Sequence, residues 1–350
     1  KGCHRIMEIQ YTTYRINLKH SFGISRSSYD YYDIVYFYIV DGEIIGRGEA
    51  APSKRYNETT KKILSVLDKG IHLPENCENA DQLWKHIKPQ LSGISALEAA
   101  ANMAIWDWRG KKDNKSICEL LDLDVKTLPK TSYTIALGNM DELDEKIEAA
   151  SPYDILKVKL GTPKDDKEII RQIRLKTDKL IRVDANEGWS YNIAKEMSFW
   201  LADRNVEFIE QPFPASQLKN TKLLRDISPL PLYADENSLV STDIPKIQDY
   251  FDGINIKLMK CGGINEALNM IKVARELNMK IMLGCMIESS VGISAAAHLA
   301  SIVDVVDLDG NLLINNDPYH GVVIKDGRLK ISVKDKGLGL SLINKNKGLL

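Results

Sequence analysis

The sequence predicts an α/β chain whose larger part is a closed parallel β/α barrel, preceded by a separate α+β unit. Two observations carry the barrel. From residue 131 onward, short β-rich segments recur every 23 to 26 residues, marked by Tyr133, Lys157, Val183, Phe208, Tyr233, Ile256, Met282 and Val306. That step fits one strand, one helix and two loops. Between the segments, apolar residues return every three or four positions, as on one face of a helix. A third observation sets the first 125 residues apart, because their apolar residues alternate instead. An open, doubly wound sheet is the runner-up for the larger part.

Taken in order, residues 6–18, 34–40 and 44–51 alternate and flank the Asp41-Gly42 turn, which predicts antiparallel strands. Helical patterns follow near 58–67, 80–88 and 96–111. The eight barrel segments are 133–137, 156–160, 181–184, 207–210, 232–235, 254–258, 281–284 and 305–308. Helices over 166–176, 192–203 and 265–277 show the clearest periodicity; the last carries Ala267, Leu268, Ile271 and Ala274. Gly327 marks a turn before a strand at 329–333, and the Gly337-Leu338-Gly339 end is placed to return to the N-terminal unit. The expected division is 1–125, 126–325 and 326–350.

Composition narrows the function. The chain has 350 residues, 44% hydrophobic, with 47 Lys and Arg against 48 Asp and Glu. Such a balance gives no basic field for nucleic acid or an anionic membrane, so a small-molecule substrate is expected. No stretch approaches the roughly 20 apolar residues that span a bilayer. Five scattered cysteines without a C-x-x-C pair suit a reducing compartment, and residues 1–10 lack the apolar core of a signal peptide. The expected location is cytoplasmic.

In a β/α barrel the working groups stand at the C-terminal ends of the strands. There, Asp184, Glu210 and Asp235 end three consecutive segments at the barrel spacing. Three anions on one rim require a cation. All-oxygen ligands without His or Cys suit Mg²⁺, one per subunit, rather than zinc. Lys157 and Lys159 are two apart on one strand and so share a face. Lys257 lies four segments later, diametrically opposite in a ring of eight. Removing a proton α to a carboxylate builds up a second negative charge, which Mg²⁺ offsets, and the base must be an unprotonated amine.

The set Lys157-x-Lys159, Asp184-x-Asn186, Glu210-Gln211-Pro212, Asp235-Glu236 and Asn255-x-Lys257-x-x-Lys260-x-Gly262-Gly263 resembles the muconate-lactonizing subgroup of the enolase superfamily. The segments Gly46-x-Gly48-Glu49 and Ala104-Ile105-Trp106-Asp107 resemble that subgroup's N-terminal capping domain, so the likeness covers nearly the whole chain. It implies a modified, (β/α)7β-like TIM barrel with an α+β capping domain. It also implies metal ligation by Asp184, Glu210 and Asp235, with Lys159 and Lys257 as the two acid/base residues. By the same likeness Lys157 contacts the substrate carboxylate and keeps Lys159 available as base, while Glu236 stands near Lys257.

Within the subgroup, the eighth segment points to a dipeptide epimerase. Asp307 and Asp309 are placed to hold a cationic group such as a dipeptide's α-ammonium. Two opposed lysines suit 1,1-proton transfer at the α-carbon of the C-terminal residue. The alternatives are an o-succinylbenzoate synthase, an N-acylamino acid racemase or a cycloisomerase; a non-catalytic barrel is disfavoured. Arg26, in the loop 20–29, resembles an arginine that holds an anionic side chain in L-Ala-D/L-Glu epimerases, which makes Ala-Glu from peptidoglycan the first substrate expectation. Cys285 and Met286 end the seventh segment, where the backbone is expected to meet the substrate carboxylate. A homo-oligomer is an open expectation.

Overall fold

The computed structural model describes residues 7–25, 27–75, 77, 79–138, 140–343 and 348–350. An antiparallel sheet opens the chain: β1 (Glu8–Ile24), β2 (Ser27–Asp41) and β3 (Ile44–Ala50), in that order. The strands reach further than their apolar alternation. The expected loop 20–29 is the tip of the β1–β2 hairpin, where Phe22 pairs with Tyr29 and Ile24 with Ser27 after a register shift past Asn17. Polar His20, Ser21 and Ser28 interrupt the alternation there, because a projecting tip has no core to face.

Helices α1 (Thr60–Leu67), α2 (Ala80–Ile87) and α3 (Ser95–Lys112) follow. Two β3 positions without side chains set how closely α3 lies against the sheet. A Cβ on Gly46 would lie 2.1 Å from the Ala104 oxygen, and one on Gly48 only 1.9 Å from that of Ala100. Only glycine permits that approach. Helix α3 answers with small residues, Ala96, Ala99, Ala100, Ala101 and Ala104, all fully buried.

The second sheet has eight parallel strands in sequential order: β4 (Tyr133–Ile135), β5 (Ile155–Lys159), β6 (Leu180–Asp184), β7 (Val206–Glu210), β8 (Leu232–Ala234), β9 (Gly253–Lys257), β10 (Lys280–Gly284) and β11 (Val305–Asp307). A bridge between Thr131 and Val306 brings its two edges together, so the sheet is a nearly closed barrel rather than an open doubly wound one. Helices Asp166–Lys176, Tyr191–Ala202 and Ile264–Glu276 lie within a residue of the expected ranges. After β11 the chain makes only a short 3-10 turn, Gly310–Leu312, so the pattern is (β/α)7β. Among the described residues no helix is long and apolar enough to cross a membrane.

The chain end returns to the first sheet and its helices. Leu338 N donates to Asp107 at 2.8 Å, Ile117 N to the Gly337 oxygen at 3.1 Å, and Arg47 Nε to the Leu350 oxygen at 2.6 Å. The expected strand 329–333 is shorter, Arg328–Lys330, and pairs with Val323–Lys325 across Gly327. Glu49, at the end of β3, spans the seam to the barrel. It accepts from Ser289 N at 2.9 Å, from the Ser289 hydroxyl at 2.5 Å and from Gly292 N at 3.1 Å.

Candidate active site

Asp184 and Glu210 are the last residues of β6 and β7, and Asp235 directly follows β8. Parallel registry places them side by side: Asp184 is the partner of Glu210, and Glu210 that of Tyr233, two residues before Asp235. All three are buried, and one carboxylate oxygen from each lies within 4.8 Å of the others. Asn186 N holds Asp184 Oδ1 at 2.9 Å, Asn255 Nδ2 holds Glu210 Oε1 at 2.7 Å, and Asp235 N donates to the Gln211 side chain at 3.0 Å.

Lysines supply the countercharge. Lys159 donates to Asp184 at 2.7 Å, Lys257 to Asp235 at 2.7 Å and Lys260 to Asp235 at 2.5 Å. Lys157 stands 2.8 Å from Glu210, 2.7 Å from Asp307 and 3.6 Å from Asp184. Burial alone would depress the Lys257 ammonium, but Asp235 and Glu210 outweigh it and hold it above the usual lysine range. Lys157 is held well above that range by Asp307, Glu210 and Asp184, again against burial. Burial opposes ionisation of Asp184, yet Lys159 and Lys157 leave it below the usual range, and Lys257 and Lys260 do the same for Asp235. Glu210 differs: burial and the neighbouring Asp184 keep it above its ordinary value. Its Oε2 lies 2.8 Å from Lys157 and has no hydrogen-bond partner among the described residues. Three hard oxygen donors converging on one point are a donor set suited to a divalent cation such as Mg²⁺.

The opposed arrangement of lysines follows from the topology. β5 and β9 are separated by β6, β7 and β8 in a ring of eight strands, so Lys159 and Lys257 approach the carboxylate cluster from different sides. A cavity of about 650 Å³ opens above them, with Lys157, Lys159, Asp235, Lys257, Asp307 and Asp309 on its floor and walls. Tyr29, Tyr32 and Arg55 close it from the side of the first sheet.

The eighth-strand pair is less symmetrical than its spacing suggested. Asp307 is engaged by Lys157 and by the Ser132 hydroxyl at 2.6 Å. Asp309 instead accepts from the Thr134 backbone at 2.5 Å, and burial with Asp307 beside it pushes its carboxyl up to about 7. Among the described residues Asp309 is therefore the member without an ion pair. Cys285 and Met286 both line the cavity, but Met286 N donates to Glu288 Oε1 at 2.7 Å rather than toward the cluster. Burial pushes the Cys285 thiol well above its ordinary value, which keeps it protonated. Arg26 lies outside the described residues.

Four contributors were not singled out from sequence: Asn255 and Gln211, which orient Glu210 and Asp235; Thr134, which holds Asp309; and Glu187. The first two stood inside the quoted motifs, and their place beside the acids was the available signal. Thr134 and Glu187 act through contacts across 175 and 132 residues, which local spacing does not reveal.

Residues 140–346 match the family described as Enolase C-terminal domain-like. The chain is 38% identical over 343 residues to an L-Ala-D/L-amino acid epimerase of Pedosphaera parvula, covering 95% of this chain and 99% of that one. It is 36% identical to an L-Ala-D/L-Glu epimerase of Bacteroides thetaiotaomicron, over 96% of this chain and 88% of that one. Its structure is similar to that of a dipeptide epimerase from Cytophaga hutchinsonii complexed with Mg and the dipeptide D-Ala-L-Val. The TM-score is 0.89 at 26% identity, over 97% of this chain and 96% of that one. With its barrel, its rim of acids and lysines and these full-length likenesses, the chain belongs to the Enolase C-terminal domain-like family.

Proposed function

We propose that the protein is a Mg²⁺-dependent dipeptide epimerase, an isomerase that inverts the α-carbon of a dipeptide's C-terminal residue by 1,1-proton transfer. The observation that carries this reading is the pair of buried lysines, Lys159 and Lys257, on different sides of one three-carboxylate cluster. Asp184, Glu210 and Asp235 hold the metal in this reading. Bound there, Mg²⁺ supplies positive charge against the anion that develops on the substrate carboxylate. Lys157 holds that carboxylate from below. One of Lys159 and Lys257 removes the α-proton and the other returns a proton to the opposite face, so either epimer serves as substrate.

Asp309, with Asp307 beside it, receives the substrate ammonium across the cavity; a succinyl or muconate substrate offers no such cation. The names of the relatives from Pedosphaera parvula and Bacteroides thetaiotaomicron support a dipeptide and make Ala-Glu, a peptidoglycan fragment, the first candidate. Residues 1–125 form the cap in this reading, 126–325 the catalytic barrel and 326–350 a segment that returns to the cap. The scattered cysteines favour cytoplasmic work on peptides taken up or released there. The test is incubation with Mg²⁺ in D₂O and a library of L,L-dipeptides, followed by mass spectrometry of the C-terminal residue. Deuterium incorporation that EDTA abolishes is expected. Incorporation into acyl amino acids alone would move the protein to a racemase or lyase of the same subgroup.

A further inference from the structure

Two segments of the N-terminal unit that overhang the cavity, the β1–β2 tip and the turn after β3, are fastened to the same two residues of the barrel. The turn after β6 carries two consecutive left-handed residues, Asn186 at φ 44° and Glu187 at φ 65°. A non-glycine pair in that region is costly and persists only where its surroundings fix it. Here Asn186 N holds Asp184, Glu187 N donates to the Gln211 oxygen at 2.9 Å, and Ala215 N donates to Glu187 Oε1 at 2.8 Å. The turn presents an oxygen and a carboxylate upward. Ser25 Oγ, at the hairpin tip, donates to the Asn186 oxygen at 2.8 Å. Arg55, in the short helix Lys54–Tyr56, donates through Nε and a terminal nitrogen to the two Glu187 oxygens, both at 2.9 Å.

The Arg55–Glu187 pair is bidentate, the geometry in which arginine and carboxylate bind most firmly, and the Glu187 side chain is only 7% exposed. An arginine so committed offers little to a ligand. We propose that the Asn186–Glu187 turn is the common anchor of both overhanging segments, and that Arg55 is a positioning residue that clasps the 53–57 loop over the substrate rather than a reader of an anionic side chain. The clasp deepens the epimerase reading, since turnover of a dipeptide is one of its readouts. It ties the cap to the residue three positions from Asp184, so the loop closes against the part of the barrel that carries the reacting groups.

The test uses R55Q as the main variant, because it leaves the turn beside Asp184 intact, together with E187Q, the double variant and the exchanged pair R55E/E187R. Steady-state kinetics on a dipeptide that the unaltered protein turns over are combined with hydrogen exchange of peptides covering 53–60. Expected is a rise of about tenfold in KM with kcat within about twofold for each single variant. The double variant should be no worse than either single one, as residues acting through one contact behave. Hydrogen exchange in 53–60 should quicken in all three, and the exchanged pair should recover part of both losses. Additive effects with unchanged exchange would overturn the clasp. So would an R55Q variant that loses only dipeptides with acidic side chains, since that makes Arg55 a substrate contact. If the unaltered protein turns over no dipeptide, the epimerase reading fails while hydrogen exchange still decides the clasp.

Discussion

Replacing Glu288 by Gln tests whether the seam between cap and barrel carries protons in place of charge. Glu49 and Glu288 are both buried, and both lie against Gly292: Glu49 accepts its N–H, and a Cβ there would fall 2.1 Å from Glu288 Oε2. Burial, with Glu49 beside it, pushes the Glu288 carboxyl from 4.5 up to about 8. Burial pushes Glu49 up to about 7, against the pull of Ser289 and Gly292. A carboxyl whose pKa is raised in the folded state holds its proton more tightly there than when unfolded. Its contribution to stability is fully present below pH 4.5 and is lost as pH rises through the folded value. From pH 5.5 to 9 Glu288 loses about 3 kcal/mol, at about 1.4 kcal/mol per pH unit until it ionises. With an unfolding entropy of about 2.1 cal/mol/K per residue, that loss is about 4 °C in Tm for this chain. The E288Q amide stays neutral at every pH. Calorimetry of both proteins from pH 5.5 to 9 should show the Tm of E288Q falling about 4 °C less. Parallel curves would refute the reasoning, because Glu288 would then not titrate in this window.

The remaining predictions concern the cavity and the cap. Asp309, pushed up to about 7, is protonated at lower pH and ionised above, so KM for a dipeptide should fall as pH rises through 7. In D309N that dependence should vanish and KM should rise by roughly 10- to 100-fold, a charge-assisted contact having been lost; steady-state kinetics from pH 6 to 8 check both. G48A sets a methyl 1.9 Å from the Ala100 oxygen, where only backbone movement makes room. It should destabilise by about 3 kcal/mol or more, measured by denaturant unfolding, and an unchanged midpoint would remove the close packing of α3 on β3.

Most of the barrel was legible because its signal repeats. A step near 25 residues, returned seven times, is hard to produce by chance, and the strand ends then pointed to Asp184, Glu210 and Asp235 without reference to any contact. What escaped were features without a local period. The hairpin tip at 20–29 reads as a loop because strand pairing there, Gly23 with Ser28, is backbone bonding that side-chain pattern does not encode. Asp307 and Asp309 share a spacing and a face, yet only Asp307 meets Lys157, a contact across 150 residues. The commitment of Arg55 to Glu187 depends on two left-handed residues that the letters Asn-Glu do not announce. Small-residue runs in α3 did carry tertiary information, since Ala96 to Ala104 match the glycines of β3.

The central claim is that two lysines serve the two faces of one α-carbon. The direct measurement is proton NMR in D₂O with K159A and K257A, each given the L,L and the L,D epimer of a turned-over dipeptide separately. Each variant should lose epimerisation by at least about 10³-fold. K257A should still exchange the α-proton of the one epimer that faces Lys159, and K159A that of the other. Epimerisation at the unaltered rate by either variant, or exchange of the same epimer by both, would contradict the account.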